Sequence, residues 1–179
     1  MRNLATLAFA ALFAISASAL AAGGGGTTDD SPAKKCKKGE VVKEVVENGT
    51  KKKICVKADA SILPDEELYQ QGRALAKEGE YDWALDVLAH IQNQNDPRVL
   101  NYIGYSHRKL GRLETGIEYY HKALAINPNF VLAREYLGEG YVASGRIDLA
   151  KAELAAIEKQ CGTTCEEYID LAEAIAAAN

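Results

Sequence analysis

The chain has 179 residues, 21 basic against 25 acidic, for a net charge of −4. That length accommodates one domain with a real core, and the acidic balance argues against nucleic acid as the main partner. The charge is uneven. Between Lys34 and Lys57 stand nine Lys and three Glu, a local +6, which leaves the remainder beyond residue 21 at −11.

The opening stretch, "MRNLATLAFAALFAISASALAAGGGG", carries one charge at Arg2 and then an apolar run from Leu4. It ends in small residues, with Ala17-Ser18-Ala19 and Ala19-Leu20-Ala21 as cleavage sites. This is the pattern of a secretory signal peptide over residues 1–21. A membrane anchor is the competing reading, but the run is rich in Ala and Ser and meets glycines rather than a basic stop-transfer cluster. No Cys sits just after the cleavage sites, which speaks against a lipid anchor, and no later stretch is apolar enough to span a bilayer. The expectation is an exported protein, periplasmic first and secreted second. Residues 22–35 read as a flexible linker by composition.

The segment 36–58, "CKKGEVVKEVVENGTKKKICVKA", places Asn48-Gly49 between β-branched runs, a strong hairpin signal. A two-residue turn opposes Glu44 to Lys53 and Val42 to Cys55. Four cysteines remain beyond the signal, Cys36, Cys55, Cys161 and Cys165. An even count in an exported chain implies two disulfides, with three pairings open on paper. Proximity favours Cys36–Cys55 and Cys161–Cys165. Cys36 must then fold back, at Gly39, to reach Cys55, and the bridge would contribute about 3 kcal/mol to a hairpin that is marginal alone.

Beyond residue 65 the text repeats. Gly72, Gly104 and Gly138 sit in apolar helical patterns, and seven residues after each comes Gly79, Gly111 or Gly145. Five further on lies a small residue (Ala84, Gly116, Ala150), then a large apolar one (Leu88, Tyr120, Leu154). A period of 32 to 34 residues is the signature of stacked helix pairs. Small residues let paired helices cross closely, and the second glycine accepts the positive φ that ends a helix. Asp96-Pro97 supplies an N-cap and a first-turn proline, and Pro128 closes the helix before it. In the last stretch Thr164 and Glu167 read as a capping box, and Tyr168, Leu171, Ala172 and Ile175 form the apolar stripe of a terminal helix.

On these residues the chain resembles the tetratricopeptide repeat family. Leu100, Ile103, Gly104, Gly116, Tyr120, Ala123 and Pro128 fall on the family's positions, as do Leu137, Gly138, Tyr141, Ala150, Leu154 and Ile157. The first repeat is looser, with Leu68, Gly72, Leu75, Ala84 and Leu88 and two residues missing near its end. The expected fold is therefore all-α: a solenoid of three repeats over 65–164 (65–96, 97–130 and 131–164). A capping helix at 165–179 would follow it, and a small disulfide-closed β-hairpin would precede it.

The resemblance implies a non-enzymatic module that binds a protein or peptide through the face lined by the first helix of each pair. Mapped by repeat position, the groove residues are Tyr69, Arg73, Arg98, Asn101, Tyr105, Arg108, Glu135 and Glu139. The arginines and Asn101 would hold a carboxylate or backbone carbonyls, with Tyr69 and Tyr105 as flat anchors. An ordinary solvated face is the alternative. The Lys and Asn set of a chaperone-type carboxylate clamp is absent, so an acidic C-terminus is not implied as ligand. Two other functions compete. Cys161-Gly162-Thr163-Thr164-Cys165 invites thiol-disulfide chemistry, with Cys165 at a helix start; the spacing is not Cys-x-x-Cys, and a structural staple is the simpler reading. Lys51, Lys52 and Lys53 could meet an anionic surface. His90, His107 and His121 lack companions at ligand spacing, so neither metal nor cofactor is expected.

Overall fold

The computed structural model describes residues 36–178. The signal segment 1–21 and the linker 22–35 lie outside the described residues. The hairpin pairs β1 (Glu40–Glu47) with β2 (Thr50–Lys57). Val42 opposes Cys55 and Glu44 opposes Lys53, the register that a two-residue Asn-Gly turn dictates. Asn48 and Gly49 both adopt positive φ, 51° and 77°, which matches strand twist and leaves no freedom to slip. Gly39, at φ 84°, reverses the chain before β1, and Cys36 bonds Cys55 across a Cα separation of 5.6 Å.

Three helix pairs follow: α1 (Asp65–Lys77) with α2 (Tyr81–Ala89), α3 (Pro97–Lys109) with α4 (Leu113–Ile126), and α5 (Val131–Ala143) with α6 (Ile147–Cys161). The last helix, α7 (Glu166–Ala177), packs on α5 and α6. Each helix touches the next, and α1, α3, α5 and α7 also contact one another in sequence, so these four form one face of the array. The pairs turn at Gly79, Gly111 and Gly145, all with φ between 74° and 88°. At Gly104 a Cβ would come within 2.8 Å of the Tyr120 ring and 3.0 Å of the Gly116 carbonyl. The spacing therefore marks a real close approach of α3 to α4.

Repeat-position side chains make the core. Leu68, Leu88, Tyr120, Ala123, Ala150 and Ile157 are fully buried. The third pair departs from the pattern, because the atoms nearest a Cβ at Gly138 belong to Leu171 of α7, which is itself fully buried. Leu154 is only half-buried. The terminal helix thus fills the slot that the next repeat would otherwise cover.

The start of α7 corrects the expected capping box. Its N-cap is Cys165, no side chain caps it, and Thr164 lies outside the helix. The Cys161–Cys165 bond fixes Cys165 as the extended residue between α6 and α7, so the helix begins one position too late for the Thr164–Glu167 exchange.

The hairpin is built into the other end. Val41 is 2% exposed and joins the core cluster of Leu68, Val87 and Leu88. Gln71 accepts from the Val42 amide at 2.6 Å and donates to the Val42 carbonyl at 2.7 Å. The Trp83 indole donates to the Glu40 carbonyl at 3.1 Å. A shortened α2 and an outward face covered by strand belong together: the hairpin closes the array at its first pair, as α7 does at its last.

Candidate functional site

A cleft of about 380 Å³ opens on the face made by α1, α3, α5 and α7. Arg73 and Lys77 come from α1; Tyr102, Tyr105 and Lys109 from α3; Leu132, Glu135, Tyr136 and Glu139 from α5; Glu166, Glu167 and Asp170 from α7. The odd-numbered helices are the first of each pair, and α7 continues their row. One helical face per repeat therefore supplies the lining.

Aromatic rings form its floor. Tyr102 lies edge-on to both Tyr69 and Tyr105, at 6.0 and 6.1 Å, and Tyr105 meets Tyr136 at 5.0 Å. Tyr102 and Tyr136 are buried, whereas Tyr105 is half-buried and offers its surface to the cleft. Cations lie over these rings. Arg73 donates to the Tyr102 hydroxyl at 3.0 Å. Lys77 donates to the Tyr136 hydroxyl at 2.8 Å, and its ammonium is 5.4 Å from the centroids of Tyr105 and Tyr136. Burial raises the Tyr136 and Tyr120 phenols far above the ordinary value, so both stay neutral donors and acceptors.

The structure assembles only part of the sequence-derived groove set in this cleft: Arg73, Tyr105, Glu135 and Glu139 line it. Tyr69 and Arg98 lie at a separate, smaller recess with Asp65, Glu66 and Asp96. There Arg98 is held by Glu66 at 3.0 Å and Asp96 at 2.6 Å, and stacks 4.6 Å over Tyr69. Arg108 is not a surface cation. Its side chain is 9% exposed, ion-paired with Glu139 and bonded through Nε to the Tyr120 hydroxyl at 3.2 Å. Asn101 is fully buried, and neither amide atom has a hydrogen-bond partner among the described residues. The arginines expected to hold a carboxylate are thus already committed to the protein's own acids and hydroxyls.

The opposite wall was not singled out from sequence. Glu166, Glu167 and Asp170 project from the first turns of α7, and Glu135 faces them from α5. Glu135 is 4% exposed and makes no hydrogen bond or ion pair among the described residues. Burial, helped by Glu139, Asp170 and Glu167, pushes its carboxyl up to about 8, and Lys77 pulls weakly the other way. At neutral pH it is therefore mostly protonated. The one sequence signal for this wall is the run of acids beginning at Glu166, which reads as ordinary N-terminal helix acidity.

The competing sites look different in three dimensions. Cys161 and Cys165 are bonded to each other, so neither is a free thiol, and the described residues contain no free cysteine. Lys51 pairs with Glu44 and Lys52 with Glu47, both at 2.7 Å across the hairpin. Two of the three clustered lysines thus spend charge on a glutamate of the facing strand.

Residues 97–130 match the tetratricopeptide repeat family. No curated protein matches the sequence. Among solved structures, the TPR2B domain of yeast Sti1 in its pHsp70 complex is 18% identical, with a TM-score of 0.58 over 64% of this chain and 94% of that one. The first TPR of Spaghetti (RPAP3) bound to the HSP90 peptide SRMEEVD is also 18% identical, with a TM-score of 0.56 over 64% and 91%. MamA AMB-1 is 24% identical, with a TM-score of 0.51 over 63% of each chain. At these identities the likeness is one of fold.

Proposed function

The chain carries a tetratricopeptide repeat at 97–130 within an array folded like tetratricopeptide-repeat domains, and from that premise we propose that it is an exported interaction module of the cell envelope. It binds a segment of another polypeptide in the cleft between α1, α3, α5 and α7, without chemistry. One observation carries this reading: four helices converge on a single pre-formed cleft with a half-buried tyrosine, Tyr105, on its floor. A site fixed by helix packing loses little entropy on binding, and a rigid ring on its floor suits a binding anchor. The similarly folded RPAP3 and Sti1 domains were solved with an HSP90 peptide and with pHsp70, which supports polypeptide as the ligand class. The signal pattern of residues 1–21 and the two disulfides support an oxidising, extracytoplasmic compartment, the periplasm of a Gram-negative bacterium first.

The test is selection of displayed random peptides on the purified protein, with a Tyr105→Ala variant as counter-screen and circular dichroism to show that the variant is folded. Recurrent peptides lost by the variant support the cleft. An exhaustive selection without recurrent binders, or binders that ignore Tyr105, would reject it.

A further inference from the structure

Glu135 is the one buried carboxyl among the described residues. A buried carboxyl ordinarily has a hydrogen bond or a paired cation, and this one has neither among the described residues at 4% exposure. Leu would fill the position without the cost. The cleft does contain cations, but they are used elsewhere. On α1, Lys77 donates to the Tyr136 hydroxyl and Arg73 to the Tyr102 hydroxyl. On α3, Arg108 is paired with Glu139, and the exposed Lys109 lies 5.5 Å over Tyr105. On α7, Glu166, Glu167 and Asp170 also lack ion-pair partners among the described residues. The site thus joins a buried unpartnered carboxyl, three further unpaired acids and a floor of tyrosine rings.

We propose that this end of the cleft is a subsite for a cationic side chain, lysine or arginine, of the bound polypeptide. The proposal rests on the peptide-binding reading above and names the chemistry of its ligand. The incoming ammonium or guanidinium sits against the Tyr105 and Tyr136 rings, with Glu135, Glu167 and Asp170 as its counter-charges. A divalent metal suits the arrangement poorly. Glu135 and Asp170 belong to no group of three ligand atoms lying within 4.8 Å of one another among the described residues, and tyrosine faces favour an organic cation. This ligand is opposite in charge to an acidic C-terminus, for which the committed arginines leave no free clamp.

Binding then moves a proton. The Glu135 carboxyl releases its hydrogen to solvent as the cation arrives, and the resulting carboxylate pairs with it. Below the range where Glu135 is already ionised, affinity must rise with pH. Burial and the acids Glu139, Glu167 and Asp170 hold the proton before the cation arrives, Lys77 opposes them, and the Tyr105 and Tyr136 phenols, raised above their ordinary value by burial, stay neutral there.

The experiment measures fluorescence anisotropy of three labelled dodecapeptides, identical except for three Lys, three Gln or three Glu. They are titrated into the wild-type, Glu135→Gln and Asp170→Asn proteins at physiological salt. The Lys peptide should bind the wild type at least tenfold tighter than the Glu peptide, and at least tenfold tighter at about pH 8.5 than at about pH 6. Glu135→Gln should abolish that rise, while Asp170→Asn, an exposed change that cannot threaten folding, should weaken the Lys peptide several-fold and keep the rise. Equal binding of the Gln or Glu peptide would overturn the cationic subsite and leave the peptide cleft standing. Lys-peptide affinity identical in all three proteins would overturn it too, as would no binding of any peptide. Peptide display tests the cleft itself separately.

Discussion

Replacing Glu135 by Gln tests the electrostatics of the cleft without any ligand. The unfolded chain holds this proton only up to its ordinary value near 4.5, whereas the folded chain holds it up to about 8. Between those values the folded state binds more protons than the unfolded one, so stability falls as pH rises. Each pH unit in that window costs about 1.4 kcal/mol, so the whole window costs on the order of 3–5 kcal/mol. Gln keeps the shape and removes the ionisation. Chemical denaturation between about pH 5 and pH 8.5 should therefore show the wild type losing several kcal/mol relative to Glu135→Gln. The two should be close at the acid end and widest apart at the alkaline end. The other shifted carboxyls, Glu44, Asp59, Glu66 and Asp96, are lowered chiefly by hydrogen bonds. They act below this window in both proteins and cancel in the difference. Parallel stability curves would refute the reasoning, because Glu135 would then be ionised and satisfied.

Gly104→Ala should lose about 1–3 kcal/mol in denaturant titration, because its Cβ meets the Tyr120 ring at 2.8 Å and the Gly116 backbone at 3.0 Å; no loss would mean that α3 and α4 stand further apart. Asn101→Leu should gain about 1–2 kcal/mol by removing an amide whose two polar atoms are buried without partners, seen as a higher thermal midpoint. Opening the Cys36–Cys55 bond with paired serines removes a closure over a 19-residue separation and should cost about 3 kcal/mol at the hairpin. Trp83, the single tryptophan, should then lose its bond to Glu40, and its emission should shift to the red while the helical signal persists.

Local and periodic features were legible in the sequence. Asn48-Gly49 determines a hairpin register because only positive φ at both residues closes a two-residue turn. The glycine and small-residue spacing exposes the helix pairs because each close crossing excludes a Cβ at the same repeat position. The cleft's charge pattern was not legible, because it arises between elements. Arg108 meets Glu139 across 31 positions, and nothing in either residue's neighbourhood shows that the pair will be buried. The acids of α7 read as helix N-terminal acids until α7 packs beside α5 and faces them toward Glu135. Thr164 shows the opposite failure: a good local cap signal lost to the covalent constraint at Cys165. Trp83 carries no local signal of its role, because its bond to Glu40 depends on the hairpin docking on α2.

The central claim is that the α1, α3, α5 and α7 face is where this protein meets a polypeptide. Its most direct test is an amide NMR footprint of a display-selected peptide on the labelled protein. Shifts concentrated at Arg73, Tyr105, Glu135, Glu139 and Asp170 are the predicted result. Shifts confined to α2, α4 and α6, or to the hairpin between Glu40 and Lys57, would contradict it.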